Sequence, residues 1–545
     1  MWPQNYFPLA GSLPLSTLAA AVPILTMLVL LGVLRKPAWV AALCGFLAAV
    51  VVAAFVYQMP WRNVIGAATD GAAFGLFPIG WIVFSAILLY RVTLESGKFE
   101  VIKDSVGHLT DDRRLQVLLI AFAFGGFVEG GAGFGTPIAV ASTMLAGLGF
   151  SPFYAAGLCL LANTAPVAFG SIGIPIVTLA ATTGLPLDRL SSGVGRMCSP
   201  VALFLPAYII LVMGGWKALK GVLPAVAVCG GAFAVFQFLI SNYVGPQLTA
   251  ILASIAAIVG LVILLSFWKP HDSFTLHEKH VTQSKVAEAH YPARELLVAW
   301  GPYILLVVLV LLWSLPFTPM PKLLNSATVV FRWPWLHNEV QRMQPVVAAP
   351  SPYPATFNFN WLSAAGTACL FAALLAAPVV GMSGRQFLKA FMNTCKQLML
   401  AELTLAAVLA LAFVMNYSGA TGTLGLAFAA TGAAFPFFSA LLGWMGVFLT
   451  GSDTSANALF GSLQEVTANR LGMNPVLMAS VNSAGGVMGK MISLTSVAVA
   501  SAATGMKREE ETRLFRFTFR HSVFLAMVMG LLALFYAYVA PQLAP

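Results

Sequence analysis

The chain has 545 residues, 59% of them hydrophobic and only 9% charged, with a mean hydropathy of +0.87. So few charges cannot cover the surface of a soluble protein of this length, which leaves a polytopic membrane protein. The formal charge of +10 does not indicate nucleic acid, because the basic residues punctuate apolar runs and form no single face; they set topology and touch membrane lipid.

The first apolar run, 13–34, is about one bilayer in length and lacks a small-residue cleavage site behind a basic front. It reads as a helix that stays, not a signal peptide. Further runs at 38–57, 71–92, 153–184, 197–214, 222–240, 249–267, 295–315, 360–378, 398–416, 475–505 and 522–540 read as spans. Two of these exceed one span and are interrupted, the first at Asn163–Pro166 and Gly170–Pro175, the second at Asn482–Gly486 and Gly489. Both are expected to be discontinuous helices.

Segments 115–150 and 435–470 are too broken for two confident spans each. The first contains Glu129-Gly-Gly-Ala-Gly-Phe-Gly-Thr-Pro137 and the second Thr450-Gly-Ser-Asp-Thr-Ser-Ala-Asn457. Glycine and proline at this density end any helix, and lipid cannot satisfy the freed backbone groups. Each segment is expected to be a re-entrant hairpin buried in protein or lining a cavity, with a pair of ordinary spans as the alternative. The expected fold is therefore all-α and polytopic, with about 12 spanning helices and two re-entrant hairpins.

With the N-terminus outside, most of the 29 basic residues fall inside, including Arg35, Lys98, Arg113, Arg114, Lys217, Lys269, Arg385 and Arg520. Arg62, Arg189, Arg196, Lys322, Arg332, Arg342 and Arg470 fall outside, and Lys490 falls within a span, a bias that supports this threading. The longest polar connections are then 268–294, cytoplasmic, and 316–359, an ordered external cap rich in proline and tryptophan. His271, His277, His280 and His290 cluster in the first without regular ligand spacing, so a solvated linker is read there, not a metal site. The cysteines lie in or beside apolar runs with no C-x-x-C pair and read as reduced packing residues. No cofactor and no metal is expected.

The chain repeats itself. Trp39–Gly97 matches Trp361–Gly419 without a gap, Leu148–Pro152 matches Leu471–Pro475, and Asn163-Thr-Ala matches Asn482-Ser-Ala. The repeats are read as 39–184 and 361–505. The connection 93–114 carries Lys98, Lys103, Arg113 and Arg114, whereas its counterpart 417–434 carries no charge, so the repeats are expected to be inverted. Broken helices in inverted repeats meeting near the midplane are a secondary-transporter architecture.

Ionisable groups inside spans are expensive and functional by default. Glu129 and Asp453 sit at the two hairpin breaks and are the candidate proton-coupling residues, against the alternative that they cap local helix ends. Lys490 lies inside a broken helix, as a partner for a substrate carboxylate or a counter-ion for Asp453, against simple snorkelling. Glu402 lies near Lys396 and reads as facing the inner surface. Thr136, Asn163, Thr164, Ser452, Thr454, Ser455, Asn457, Asn482 and Ser483 line the breaks as candidate substrate-binding donors and acceptors. Half-helix N-termini at such breaks favour an anion.

The stretches "FVEGGAGFGTPIAV", "YAAGLCLLANTAPVAFGSIGIPI", "GWMGVFLTGSDTSANALF", "GGVMGKMIS" and "LFRFTFRHS" resemble the lactate permease family of bacterial inner-membrane transporters. The resemblance covers nearly the whole chain, least clearly at 268–294 and 316–359. It implies proton symport of a 2-hydroxymonocarboxylate such as L-lactate, D-lactate or glycolate, and a hairpin-containing fold like that of the ion-transporter superfamily. The implied partners are the small hydroxy-acid anion, the proton and membrane lipid, with no nucleic acid; the oligomeric state is left open, a homodimer being the candidate. Sodium coupling, an anion channel and a membrane-embedded enzyme are the rivals. Against the enzyme stand the missing H-E-x-x-H and dinucleotide motifs and the lack of histidine in the broken region.

Overall fold

The computed structural model describes residues 1–107, 109–133, 135–270, 272, 274, 291–314 and 319–545. Most of the connection 268–294, including His271, His277, His280 and His290, lies outside the described residues, as does Phe134 in the first hairpin break. Eleven helices among the described residues are long and apolar enough to cross a bilayer, and up to 13 spans result if two bent helix pairs each count as one. Helix is what such a sequence must form, because within lipid only a helix pairs its own backbone. The chain is thus a helical, multi-pass membrane protein.

Several helices outrun their apolar runs. The span expected at 71–92 is the middle of a 35-residue helix, Trp61–Glu95, interrupted where Phe77 leaves helical geometry (φ −143°, ψ 126°). Its polar first turns are stabilised by cover from other protein: Asn63 is buried and its Nδ2 donates to the Trp335 carbonyl at 3.1 Å. The spans at 197–214 and 398–416 likewise sit within the 35-residue helices Leu187–Gly221 and Gly384–Ser418. Hydropathy detects the part of a helix in contact with lipid, not the flanks in contact with protein.

Both expected discontinuities exist. Helices Pro152–Ala162 and Val167–Thr183 meet at 65°, with the Asn163–Pro166 stretch between them. The second bend, 41°, lies at Ser493, between Pro475–Ile492 and Leu494–Thr504. The expected interruption at Asn482–Gly486 is not there; those residues are regular helix. Their glycines serve close approach instead. A methyl group on Gly485 would clash with Ala440 of the facing helix Phe435–Thr450, and one on Gly443 of that helix would strike the Asn482 backbone carbonyl.

Two ends of the helical body can be told apart by what meets there. At one, the basic end, Arg114 is fully buried and donates to the Ala218 carbonyl and to Asp272 (Nη1 to Oδ2, 2.8 Å). Lys98 pairs with Glu295 at 3.3 Å and Arg91 hydrogen-bonds Gln397. At the opposite, capped end, the antiparallel pair Val329–Arg332 and Thr356–Phe359 lies beside a small sheet in which Trp2 and Pro3 run parallel to Val340 and Gln341. These short strands depart from the all-α expectation and escape hydropathy because they cap the bundle rather than cross it. Gln4 ties the cap to the body, its Nε2 donating to the Asn416 and Tyr417 carbonyls at 2.9 Å each.

The two broken segments are helical hairpins. Arg113–Gly131 rises from the basic end, buried from Arg114 onward, and Thr136–Gly147 returns. Phe435–Thr450 and Asp453–Leu471 form the other, whose second arm runs to the capped end, where Glu465 and Asn469 line a pocket with Tyr6 and Arg342.

Candidate functional site

The two hairpin tips, coming from opposite ends, line one cavity of about 250 Å³. Glu129 and Gly135 enter from the first, and Thr450, Gly451, Ser452, Asp453 and Thr454 from the second. The left-handed backbone of Gly133 (φ 60°) and Gly135 (φ 83°) turns the first tip, and that of Gly451 (φ 73°) turns the second. A third wall is the bent segment Gly170–Pro175. There Ser171, Ile172 and Gly173 all take left-handed φ values, 45°, 60° and 75°. For the β-branched Ile172 this is a strained state, held by complete burial and by the Ser171 hydroxyl donating to the Ala132 carbonyl at 3.1 Å.

Helix N-termini converge on this space. Asp453 and Thr454 open helix Asp453–Leu471, Gly135 precedes Thr136–Gly147, and Thr495 and Ser496 open Leu494–Thr504. The first is capped by Ser452, whose Oγ accepts from the Ser455 amide at 3.3 Å, and the last by Ser493, which accepts from the Ser496 amide at 3.2 Å. First-turn amides and aligned dipoles make such ends favourable for an anion.

The ionisable groups singled out in the sequence come together here. Glu129 is buried near the C-terminal end of its helical arm, and its Oε2 accepts from Asn163 Nδ2 at 3.0 Å. Asp453 Oδ2 accepts from the Ser483 hydroxyl at 2.6 Å and, more weakly, from Asn457 Nδ2 at 3.4 Å; its Oδ1 is left without a partner among the described residues. Lys490, 8% exposed, lies in the last turn of Val487–Ile492 and donates to the Gly451 carbonyl at 2.7 Å. Among the described residues it makes no ion pair, so the expected direct pairing of Lys490 with Asp453 is replaced by a bond to the tip's backbone.

The remaining sequence candidates divide. Ser452 and Thr454 line the cavity. Asn163, Asn457 and Ser483 stand behind it, each donating to one of the carboxylates. Asn482 is one step further back, donating to Asn457 Oδ1 at 2.9 Å and accepting from Gln464 at 3.0 Å. Ser455 contributes its amide to the cap. Thr164 turns back on its own helix, bonding the Leu161 carbonyl, and Thr136 is half-buried outside the lining. Glu402 is half-buried: its Oε2 sits over Gly80 in the break of Trp61–Glu95, and its Oε1 is buried without a partner among the described residues. Sequence reasoning missed the lining residues Ser171, Thr495 and Ser496. Ser171 could have been found from the Gly170–Pro175 interruption; the other two carry no signal, since hydroxyl residues are ordinary in membrane helices.

Chemically, the cavity offers one ammonium, two carboxylates, several hydroxyls and the amides of helix ends, beside the apolar side chains of Val167, Ile174 and Val499. It suits a small polar anion rather than a drug-sized molecule.

Comparison with known proteins identifies relatives of the whole chain. The family model described as L-lactate permease matches residues 16–540. The chain is 43% identical to the glycolate permease GlcA of Escherichia coli (strain K12), covering 99% of this chain and 98% of that one. It is 41% identical to the L-lactate permease of Bacillus subtilis (strain 168) and 42% identical to that of Escherichia coli (strain K12), over 100% of both chains in each case. Among solved structures it is similar to the YdaH transporter of Alcanivorax borkumensis, at 15% identity and a TM-score of 0.48 over 89% of each chain.

Proposed function

The chain belongs to the L-lactate permease family, a family of transporters and not enzymes, and from that premise we propose that it imports L-lactate and related 2-hydroxymonocarboxylates, D-lactate and glycolate, across a bacterial inner membrane by proton symport. One observation carries this reading: Glu129, Asp453 and Lys490 line a single cavity into which helix N-termini open. With both carboxylates ionised, an entering hydroxy-acid anion would meet more negative than positive side-chain charge at close range. One proton on a carboxylate removes that repulsion, so anion and proton are favoured together.

The two carboxylates are not equivalent. Asp453 stands in the first turn of its helix and accepts two hydrogen bonds, both of which suit a negative charge. Glu129 stands near the C-terminal end of its arm with one donor. The negative end of the dipole opposes its charged form. Glu129 is therefore the proton carrier and Asp453 the permanent anion of the site. The substrate carboxylate takes Lys490 and the amides near Ser452–Thr454, and its hydroxyl is left to Ser171, Thr495 or Ser496.

The stretches 39–184 and 361–505 are inverted repeats in this reading, and their hairpins re-enter from opposite faces. Supporting it, both run through a helix, a long helix, a short helix, a hairpin and a bent pair in the same order. Residues assigned inside by charge, such as Arg91, Lys98 and Arg114, also gather at the basic end, while the N-terminus and 329–359 meet at the capped end. In a cysteine-free background, a cysteine at exposed Leu109 is expected to react only with reagent on the cytoplasmic side. One at exposed Ala434 is expected to react only from outside. Labelling of both from one side removes the inversion.

Radiolabelled L-lactate uptake in energised vesicles tests the coupling. Uptake is expected to persist without sodium and to collapse with a protonophore. Dependence on sodium would assign the carbonyls and hydroxyls at the breaks to that ion instead, and flux unaffected by either would return the channel reading.

A further inference from the structure

A second polar pocket, of about 110 Å³, lies at the capped end between the cap and the hairpin helix Asp453–Leu471. Its lining includes Tyr6, Arg342, Tyr353, Asn416, Ser462 and Glu465. Arg342 ends the strand Val340–Arg342, and its guanidinium is held over the Tyr353 ring, 4.9 Å from the centroid. Among the described residues Arg342 forms no ion pair. Arg342 is half-buried and lines a polar pocket, and a carboxylate is the acceptor that a planar guanidinium fork fits best.

The pocket is joined to the central cavity by continuous polar contact. Asn416 Nδ2 donates to Ser462 Oγ at 2.9 Å and to the Thr182 carbonyl at 3.2 Å, and Ser462 also bonds that carbonyl. The Thr182 hydroxyl donates to the Asn457 carbonyl at 3.3 Å, and Asn457 Nδ2 reaches Asp453 in the cavity. The helix that carries Asp453 at one end carries Ser462 and Glu465 toward the other.

We propose that Arg342 is the anchor of an outer loading site, where a small carboxylate anion is captured from the external medium before it passes to the central cavity. This rests on the transport reading and on the capped end being external. Glu465 faces the same pocket, with its Oε1 taking the Asn469 amide at 2.6 Å. Its charge opposes the anion, which keeps occupancy short; a site on a transport path must release what it binds.

The test compares sides. In right-side-out vesicles, Arg342→Gln is expected to raise the apparent KM for radiolabelled L-lactate about tenfold and to flatten its dependence on ionic strength. In inside-out vesicles the KM is expected to stay at the unaltered protein's value, which also shows that the variant folds. Glu465→Gln is expected to shift the outer KM the opposite way. An outer KM unchanged in Arg342→Gln, or one that rises equally on both sides, overturns the loading site while leaving the transport reading intact. Failure of the unaltered protein to move any hydroxy acid in either orientation overturns the transport reading itself.

Discussion

Replacing Lys490 by alanine is expected to weaken L-lactate binding roughly ten- to a hundred-fold, the usual effect of losing a charge-assisted contact of about 1.5–3 kcal/mol. The ammonium has three donors, and among the described residues one is committed, to the Gly451 carbonyl. The others face a cavity that also holds two carboxylates, so without Lys490 an anion there has only helix ends to offset them. Lys490→Arg is expected to restore little of the affinity. A planar fork is bulkier than a point charge and cannot keep both the Gly451 bond and room for substrate in about 250 Å³. Binding is read from the concentration dependence of counterflow, with thermal stability in detergent as the folding control. An unchanged affinity in a stable Lys490→Ala protein would reduce Lys490 to a strut for the hairpin tip.

Glu129→Gln is expected to abolish uphill accumulation while sparing exchange. With one proton per anion, a pH gradient of one unit supports about tenfold accumulation. The glutamine imitates the protonated acid, and its carbonyl can still accept from Asn163. The loaded carrier therefore reorients, and labelled substrate swaps across the membrane at rates near the original. Release of the proton is no longer possible, so the gradient drives nothing and the internal concentration settles near the external one. Asp453→Asn is expected to damage binding as well, because Ser483 and the helix N-terminus are arranged around a negative charge. Retained accumulation in Glu129→Gln would move the proton to another group. Glu402, half-buried at the break of Trp61–Glu95 with one oxygen unpartnered among the described residues, would be the next to replace.

Much of the site is legible in the sequence, and the reasons are physical. Charge in an apolar run is costly, so Glu129, Asp453 and Lys490 stood out, and all three line one cavity. Glycine and proline breaks located both hairpin tips because backbone rules act locally. What was not legible depends on packing. Asn482–Gly486 has the composition of a break yet stays helical, because its glycines admit the neighbouring helix. Sequence distance from Lys396 says nothing about which element Glu402 faces, so its place against the Gly80 break is not legible in the sequence. Thr495 and Ser496 owe their position to a bend at Ser493 that no glycine or proline marks. The strands of the cap were invisible to a reading tuned to span-length periodicity.

The hairpins reach the cavity from opposite ends, and this has an electrical consequence. If water follows each hairpin's outer flank, the aqueous phases approach one another across the tips, and the membrane potential falls mostly over that short distance. A charge crossing the tips then feels nearly the whole voltage, about 2.3 kcal/mol per elementary charge per 100 mV. An anion carried with one proton moves no net charge, so its transport is indifferent to voltage and answers to the pH difference alone. A second proton on the same trip would turn the device into an electrical machine, with the voltage itself drawing substrate inward.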